Sequence, residues 1–394
     1  MRRYLTIDEL EVAGRRVLVR SDLNVPKEDG AITDSFRIEA ALGTIQRLRK
    51  ARAKVIVCSH WGRPEAREPE FSMSPITRRL ADLGGFPARQ APDVVGPGVE
   101  RMIEELLPGE VLVLENTRFA PGETKNDPQL AFELSELADL FVQDAFGSVH
   151  RAHASTVGIA ERVRSAAGPL LAKEVDALSV FLGEPDRPCV VVLGGAKVSD
   201  KLGVIRNLLP RIDSMLIGGG MCFTALRAQG LEVGDSLLEE DQVPRMEVLL
   251  ASPEAEKLVL PVDLVVGDRF AADATAQVVA AGAIPPGWVG LDIGPETAKR
   301  FANVLARASS VFWNGPMGVF EWEPFRAGTA AVAKALADCD GFTAVGGGDS
   351  VAALGLMGME DQVSHVSTGG GAGLEFLEGK DLPGVAVLAR WVDA

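Results

Sequence analysis

Residues 16–26, Arg16-Val17-Leu18-Val19-Arg20-Ser21-Asp22-Leu23-Asn24-Val25-Pro26, run apolar and β-branched for the length of a strand and then turn polar. Such a run, followed by an amphipathic stretch, is one βα unit of a parallel sheet. Three further segments of the first half repeat the pattern. The run 54–58 ends in Ser59-His60-Trp61-Gly62-Arg63-Pro64, and 111–114 ends in Glu115-Asn116-Thr117-Arg118. The run 140–142 is followed by Gln143-Asp144 and then by a stretch holding His150, Arg151 and His153. In open α/β sheets ligands bind beyond the carboxyl ends of the strands. One such tail is an ordinary capped strand end; four in one domain, each with an arginine, argue for a shared anion pocket. Arg37 joins them by another route, because Asp34-Ser35 reads as a helix start, and a helix N-terminus offers free N–H groups to an anion.

The second half predicts a second sheet, with strands over 189–193, 215–217, 258–266 (with Pro261 inside), 311–313 and 342–345. Helices are expected over 128–140 and 298–308, where apolar residues recur at three- and four-residue spacing. Ala166-Ala167-Gly168-Pro169 reads as a boundary, and the periodic segment 170–182 as a connecting helix. At 394 residues the chain exceeds what one core usually organises, so two domains are expected. The first is placed at 1–168. The second, with the connecting helix, is placed at 169–375, and 376–394 is expected to pack back on the first.

Composition narrows the function classes. Hydrophobic residues make up 47% and charged residues 24%. No apolar run approaches the roughly 18 residues of a membrane span. Residues 1–8 turn acidic before a signal-peptide core can develop. Cys58, Cys189, Cys222 and Cys339 form no C-x-x-C pair and sit mostly among apolar neighbours, as reduced cysteines do, which points to the cytoplasm. The net charge of −15 argues against a nucleic-acid surface. That charge is uneven. Residues 1–168 hold 23 Lys+Arg against 25 Asp+Glu, and the remainder holds 17 against 30. Nineteen of the 23 cations are arginines, whose planar fork matches carboxylate and phosphate oxygens, although genome composition alone can also raise arginine.

The second half is marked by glycine. Gly194-Gly195-Ala196-Lys197-Val198-Ser199-Asp200-Lys201 follows a strand and is expected to enter a helix that carries both lysines on one face. Glycines baring N–H groups beside two cations make a phosphate site, though this is neither a Walker A loop nor a G-x-G-x-x-G fingerprint. Triplets at 218–220, 346–348 and 369–371 suit backbone that approaches a ligand closely. Asp349 stands where a lone carboxylate can meet Mg²⁺ carried on phosphates. The turn 314–323 offers a carboxylate to sugar hydroxyls.

Taken in order, RSDLNVP (20–26), SHWGRP (59–64), ENTRF (115–119), DAFGSVHRAH (144–153), LGGAKVSDK (193–201), GGGM (218–221), GLDIGPE (290–296), WNGPMGVFEWE (313–323), GGGDS (346–350) and STGGGA (367–372) resemble the phosphoglycerate kinase family along essentially the whole chain. The resemblance implies two doubly wound parallel-sheet α/β domains joined by a helix, with a cleft between them. It implies transfer of a phosphoryl group between 1,3-bisphosphoglycerate and MgADP, giving 3-phosphoglycerate and MgATP, in line and after domain closure, in a cytoplasmic monomer. By the resemblance, Asp22, Asn24, Arg37, His60, Arg63, Arg118 and Arg151 hold the phosphoglycerate. Lys201, Gly219, Gly290, Glu321, Gly347, Gly348, Asp349 and Ser350 hold the nucleotide, Asp349 takes the metal, and Arg37 and Lys197 flank the group in transfer. Ser21, Leu23, Trp61 and Gly373 depart from the family's usual residues, and Ser350 stands where it often has threonine; none removes a charged contact. Two other readings stay open: a catalytically silent nucleotide-binding scaffold, and a dehydrogenase, which the missing fingerprint disfavours.

Overall fold

The computed structural model describes residues 4–28 and 30–392. Residues 1–3, which open the expected first domain, and 393–394, which end the segment expected to return to it, lie outside the described residues. Residues up to Asp176, with those from Asp381 onward, cluster into one compact unit, and Ala177–Lys380 into another. The helix Pro169–Leu182 straddles the first division.

In the first unit six strands form one parallel sheet: β1 (Arg16–Arg20), β2 (Lys54–Cys58), β3 (Ala88–Gln90), β4 (Val111–Val113), β5 (Leu140–Gln143) and β6 (Ser165–Ala167). Their spatial order is β3-β4-β2-β1-β5-β6. Val17, Val19, Val55, Val57, Val113 and Val142 share one core cluster. The alternate residues Leu18, Ile56, Leu112 and Phe141 are equally buried on the opposite face. Both faces are therefore covered, as in a doubly wound sheet, and each such side chain contributes about 1.5–3 kcal/mol. The chain builds outward from β1 on one side and then crosses to β5 on the other. That switch sets the tails after β1 and β5 side by side, where doubly wound sheets bind ligands. The C-terminal stretch belongs to this unit: Trp391 packs against its core, and its Nε1–H donates to the Ala160 carbonyl at 2.8 Å.

The second unit repeats the device. Its strands are β7 (Cys189–Leu193), β8 (Ser214–Ile217), β9 (Leu258–Val259), β10 (Asp263–Gly267), β11 (Ala276–Ala280), β12 (Val289–Ile293), β13 (Ser310–Asn314), β14 (Phe342–Gly346) and β15 (His365–Val366). Six of them form a parallel sheet in the order β9-β8-β7-β13-β14-β15, which switches between β7 and β13. Phe181 of the helix Pro169–Leu182 meets Phe312 of β13 at 5.6 Å between ring centroids.

The continuous strand expected over 258–266 is two. β9 pairs with β8, while β10 joins β11 and β12 in an antiparallel three-stranded sheet. Pro261 lies between them and has no N–H to give a ladder. Helix ends also shift for identifiable reasons. The helix expected at 298–308 is Pro295–Leu305, because the Asp263 carboxylate accepts the N–H groups of Glu296 (3.0 Å) and Thr297 (2.7 Å). That cap comes from a residue 34 positions away and has no local signature. The helix expected at 128–140 stops at Glu136, since Asp139 is held by the Arg16 backbone N–H (2.9 Å) and guanidinium (2.7 Å) where β5 begins.

Candidate functional site

Arg63, Arg118 and Arg151, each from a different strand-end tail, line one cavity of about 420 Å³ with Glu65, Glu123 and Thr124. Arg118 is aimed by its neighbours: its backbone N–H donates to Asn116 Oδ1 (3.1 Å), and its Nη1–H to the Gly62 carbonyl (2.6 Å). Gly62 in turn gives its N–H to Asn24 Oδ1 at 2.8 Å. Asn24 also accepts, through its carbonyl, a bond from Arg37 Nη1 at 3.1 Å, and Arg37 forms an ion pair with buried Asp22 at 3.2 Å. Arg37 stands in the first turn of the helix Phe36–Lys50, whose start is fixed by Asp34 Oδ1 accepting the Phe36 N–H (2.8 Å). His60, partly buried, receives a bond from Arg20 Nη2 on Nδ1 at 3.0 Å. One connected polar chain thus runs Arg37, Asp22, Asn24, Gly62, Arg118.

The cations outweigh the anions here. Burial, then the charges of Arg63, Arg151 and Arg20, pulls the Arg118 pKa down. His60 is held well below the usual imidazole range by burial and by Arg20, Arg118 and Arg37, and His153 is pushed down to about 4 by burial and the same kind of neighbours. Buried Glu123 is pushed up by burial, which outweighs the opposing field of Arg20. Guanidiniums packed against one another in a cavity are stabilised by an anion of two or more charges.

In the second unit two cavities adjoin. One, of about 490 Å³, has an apolar wall that includes Leu237, Phe270, Val289 and Phe320; Gly219, Gly290 and Glu321 also line it. The other, of about 290 Å³, is lined by Lys197, Lys201, Gly347, Gly348, Asp349 and Ser350. Gly195, Ala196 and Asp349 belong to both. The floor is backbone against backbone: the Gly195 N–H donates to the Pro316 carbonyl (2.8 Å), and the Gly219 N–H to that of Met317 (3.1 Å). Gly219 has φ +64°, and a Cβ there would come within 2.5 Å of the Gly195 nitrogen. Ser350, fully buried, accepts the Gly315 N–H on Oγ at 2.6 Å, tying the turn after β13 to the helix Gly348–Met357. An apolar slot opening onto a polar, glycine-lined one suits a base joined to phosphates.

The expected shared helix face for Lys197 and Lys201 is not formed. The helix begins at Leu202, and 194–201 is a turn pinned by Ser199, which gives Glu239 its N–H (3.0 Å) and hydroxyl (2.6 Å). Gly195 at φ +87° breaks the helical path before the lysines are reached. The lysines consequently differ: Lys197 is exposed, while Lys201 is 8% exposed, and its pKa is lowered by burial against the opposing fields of Asp200 and Asp349. The triplet 369–371 lies outside both cavities and opens the helix Gly371–Leu377.

Sequence reasoning missed the apolar wall, because isolated residues such as Leu237 and Phe270 carry no motif. It also missed two buried acids. Asp292 lines the larger cavity, accepts the N–H groups of Gly328 (2.7 Å) and Ile293 (2.9 Å), and is pushed up to about 7 by burial. Asp144 accepts the Leu170 (2.9 Å) and Leu171 (3.1 Å) N–H groups at the start of the helix Pro169–Leu182 and is likewise pushed up to about 7 by burial.

The model of the phosphoglycerate kinase family matches residues 7–380. The phosphoglycerate kinase of Moorella thermoacetica is 55% identical over 389 residues, covering 98% of this chain and 99% of its own. That of Rubrobacter xylanophilus is 52% identical over 384 residues, covering 97% of each. Among solved structures, phosphoglycerate kinase from Coxiella burnetii superposes with a TM-score of 0.88 at 42% identity, covering 98% of this chain and 99% of that one. The enzyme from Pyrococcus horikoshii gives 0.88 at 32% identity, covering 99% of both.

Proposed function

The chain belongs to the phosphoglycerate kinase family, and we propose that it carries out the glycolytic reaction of that family, reversible phosphoryl transfer between 1,3-bisphosphoglycerate and MgADP. The observation that carries the reading in this molecule is the cavity of Arg63, Arg118 and Arg151, whose mutual repulsion is relieved by the phosphate of a small acid. Asp22, Asn24, Arg37 and His60 complete that site, with Arg37 released from Asp22 toward the transferring group. In the other unit the apolar wall takes the adenine beside Gly219 and Gly290, and Glu321 takes the ribose. Lys201, Gly347, Gly348, Asp349 and Ser350 surround the phosphates, and exposed Lys197 reaches toward the transferring group.

Among the described residues no three His, Cys, Asp or Glu side chains are grouped to hold a metal. The donor set suits a hard ion that arrives on nucleotide phosphates and takes one carboxylate, that of Asp349. Held by Asp349 on the nucleotide phosphates, Mg²⁺ would supply positive charge that offsets the charge of the transferring group. When the acyl O–P bond breaks and the phosphoryl group passes to ADP, the carboxylate that departs needs no proton, so the chain's task is to align donor and acceptor and to stabilise charge through Arg37, Lys197 and backbone N–H groups. Because acid and nucleotide are assigned to separate units, this reading requires closure during turnover. We place the enzyme in the cytoplasm as a monomer; four free cysteines and the lack, among the described residues, of a helix long and apolar enough to cross a membrane support the first part.

A coupled assay with 3-phosphoglycerate, MgATP and an acyl-phosphate trap tests the reading. Turnover is expected, with Arg37→Ala and Lys197→Ala each lowering kcat roughly a hundredfold or more. Nucleotide binding without turnover would favour the silent scaffold, and variants within a few-fold of wild type would remove the clamp.

A further inference from the structure

Arg20 ends β1 and is fully buried, yet no substrate contact is assigned to it. Each of its three nitrogens donates. Nε–H goes to Ser155 Oγ (3.0 Å), Nη1–H to the Ser21 carbonyl, and Nη2–H to His60 Nδ1 (3.0 Å) and, at 3.4 Å, to Ser148 Oγ. Ser155 passes the load on: its hydroxyl donates to Glu123 Oε1, and its N–H to Oε2 at 3.0 Å. The guanidinium therefore has a fixed position and a carboxylate behind it.

A guanidinium can only donate, so the atom it meets on His60 must accept. We infer that Arg20 is a positioning residue: by donating to Nδ1 it holds His60 in the tautomer that carries its proton on Nε2, so that His60 presents a neutral N–H donor to the acid. Among the described residues no hydrogen bond engages Nε2. Burial opposes a second proton on the ring, and three fixed cations add to it: Arg20 from β1, Arg118 from the turn Thr117–Phe119 and Arg37 from the helix Phe36–Lys50. Of the two buried carboxylates of the network, Glu123 is engaged by Ser155, which also accepts from Arg20, and Asp22 is paired with Arg37. Protonating Nδ1 would also break the Arg20 bond. A ring so held can donate one bond to a carboxylate or hydroxyl of the substrate at any pH near neutrality, whereas a free imidazole changes charge there. The inference rests on the assignment of this site to phosphoglycerate for its function, but not for its geometry.

The experiment uses long-range ¹H–¹⁵N spectra of the histidine rings in the full chain, with His60 assigned by His60→Gln. The expected wild-type pattern is a neutral ring protonated on Nε2, unmoved between about pH 5.5 and 8. A proton on Nδ1, or a titration within that range, would overturn the proposal without any substrate present. In Arg20→Met the ring is expected to titrate, and KM for 3-phosphoglycerate to rise roughly two- to tenfold with a new pH dependence, as befits one lost hydrogen bond. Arg20→Lys, which still only donates, is expected to restore both. A flat pH profile in Arg20→Met with a merely raised KM would overturn the positioning role. Should that variant fail to fold, the wild-type spectrum decides. A spectrum as expected, with 3-phosphoglycerate leaving the His60 resonances unmoved, would instead remove His60 from the substrate site and leave the tautomer assignment standing.

Discussion

Lys201→Met separates what a buried cation does for the nucleotide from what it does to the fold. Methionine keeps the apolar stem and removes the ammonium, which lies 3.3 Å from where a Gly195 Cβ would stand, on the glycine turn 194–201. A hydrogen bond to a charged group is worth about 1.5–3 kcal/mol, so MgADP affinity is expected to fall roughly 10- to 150-fold. Stability should not fall with it. Burial lowers the Lys201 pKa, which means that the folded chain holds this proton less tightly than the unfolded chain does and that the charged form opposes folding. The variant is expected to match or exceed wild type in urea unfolding at neutral pH. Asp349 loses a nearby cation but is exposed, so solvent screens the loss. Calorimetric titration with MgADP, urea melts and titration with 3-phosphoglycerate form the test, the last expected to be unchanged. Affinity within twofold of wild type would refute the phosphate role, and destabilisation beyond about 1 kcal/mol would refute the burial argument.

Gly290→Ala places a Cβ 2.0 Å from the Phe223 ring, so the lining of the larger cavity must shift; we expect about 1–3 kcal/mol of destabilisation and weaker nucleotide binding with unchanged 3-phosphoglycerate binding, read by the same titrations. Asp292 has a raised folded-state pKa, about 7 against 3.8, so its contribution to stability is complete below the lower value and lost as pH rises through the upper. Asp292→Asn should abolish that component, at most about 1.4 kcal/mol per pH unit, so that variant and wild type diverge between about pH 4 and 7 and run parallel above; parallel urea curves throughout would contradict it. His153, depressed to about 4, works in the opposite sense: its contribution is present above the unfolded value of 6.5 and lost as pH falls toward 4. His153→Gln should accordingly flatten the acid side of the stability profile, as measured by thermal melts across that range.

Local sequence determined a good deal of this protein. Runs such as 16–20, 54–58 and 189–193 specify strands because β-branched residues bounded by turn residues favour no other element, and those spans agree with the structure. Arginine-bearing tails and glycine turns at the strand ends pointed to the cavities because a parallel α/β sheet puts ligands there in any sequence that forms it. Arg63, Arg118 and Arg151, far apart along the chain, duly line one cavity.

Tertiary structure alone decided the rest, wherever a distant group outbids a local preference. Asp263 sets a helix start 34 residues away, Pro261 sends the two halves of one apolar run into different sheets, and Ser199 pins the turn 194–201 to Glu239 so that the lysine pair has no common helix face. The tail that follows β1 shows the division most plainly. From the residue pattern, Arg20, Asp22 and Asn24 share one strand-end tail and Arg37 joins them through its helix; the family resemblance gave roles to Asp22, Asn24 and Arg37 and none to Arg20. In the fold Arg20 is wholly buried behind His60, while Arg37 remains partly open, because the charge of a strand's last residue can be enclosed only where neighbouring strands bring Ser148, Ser155 and Glu123 around it.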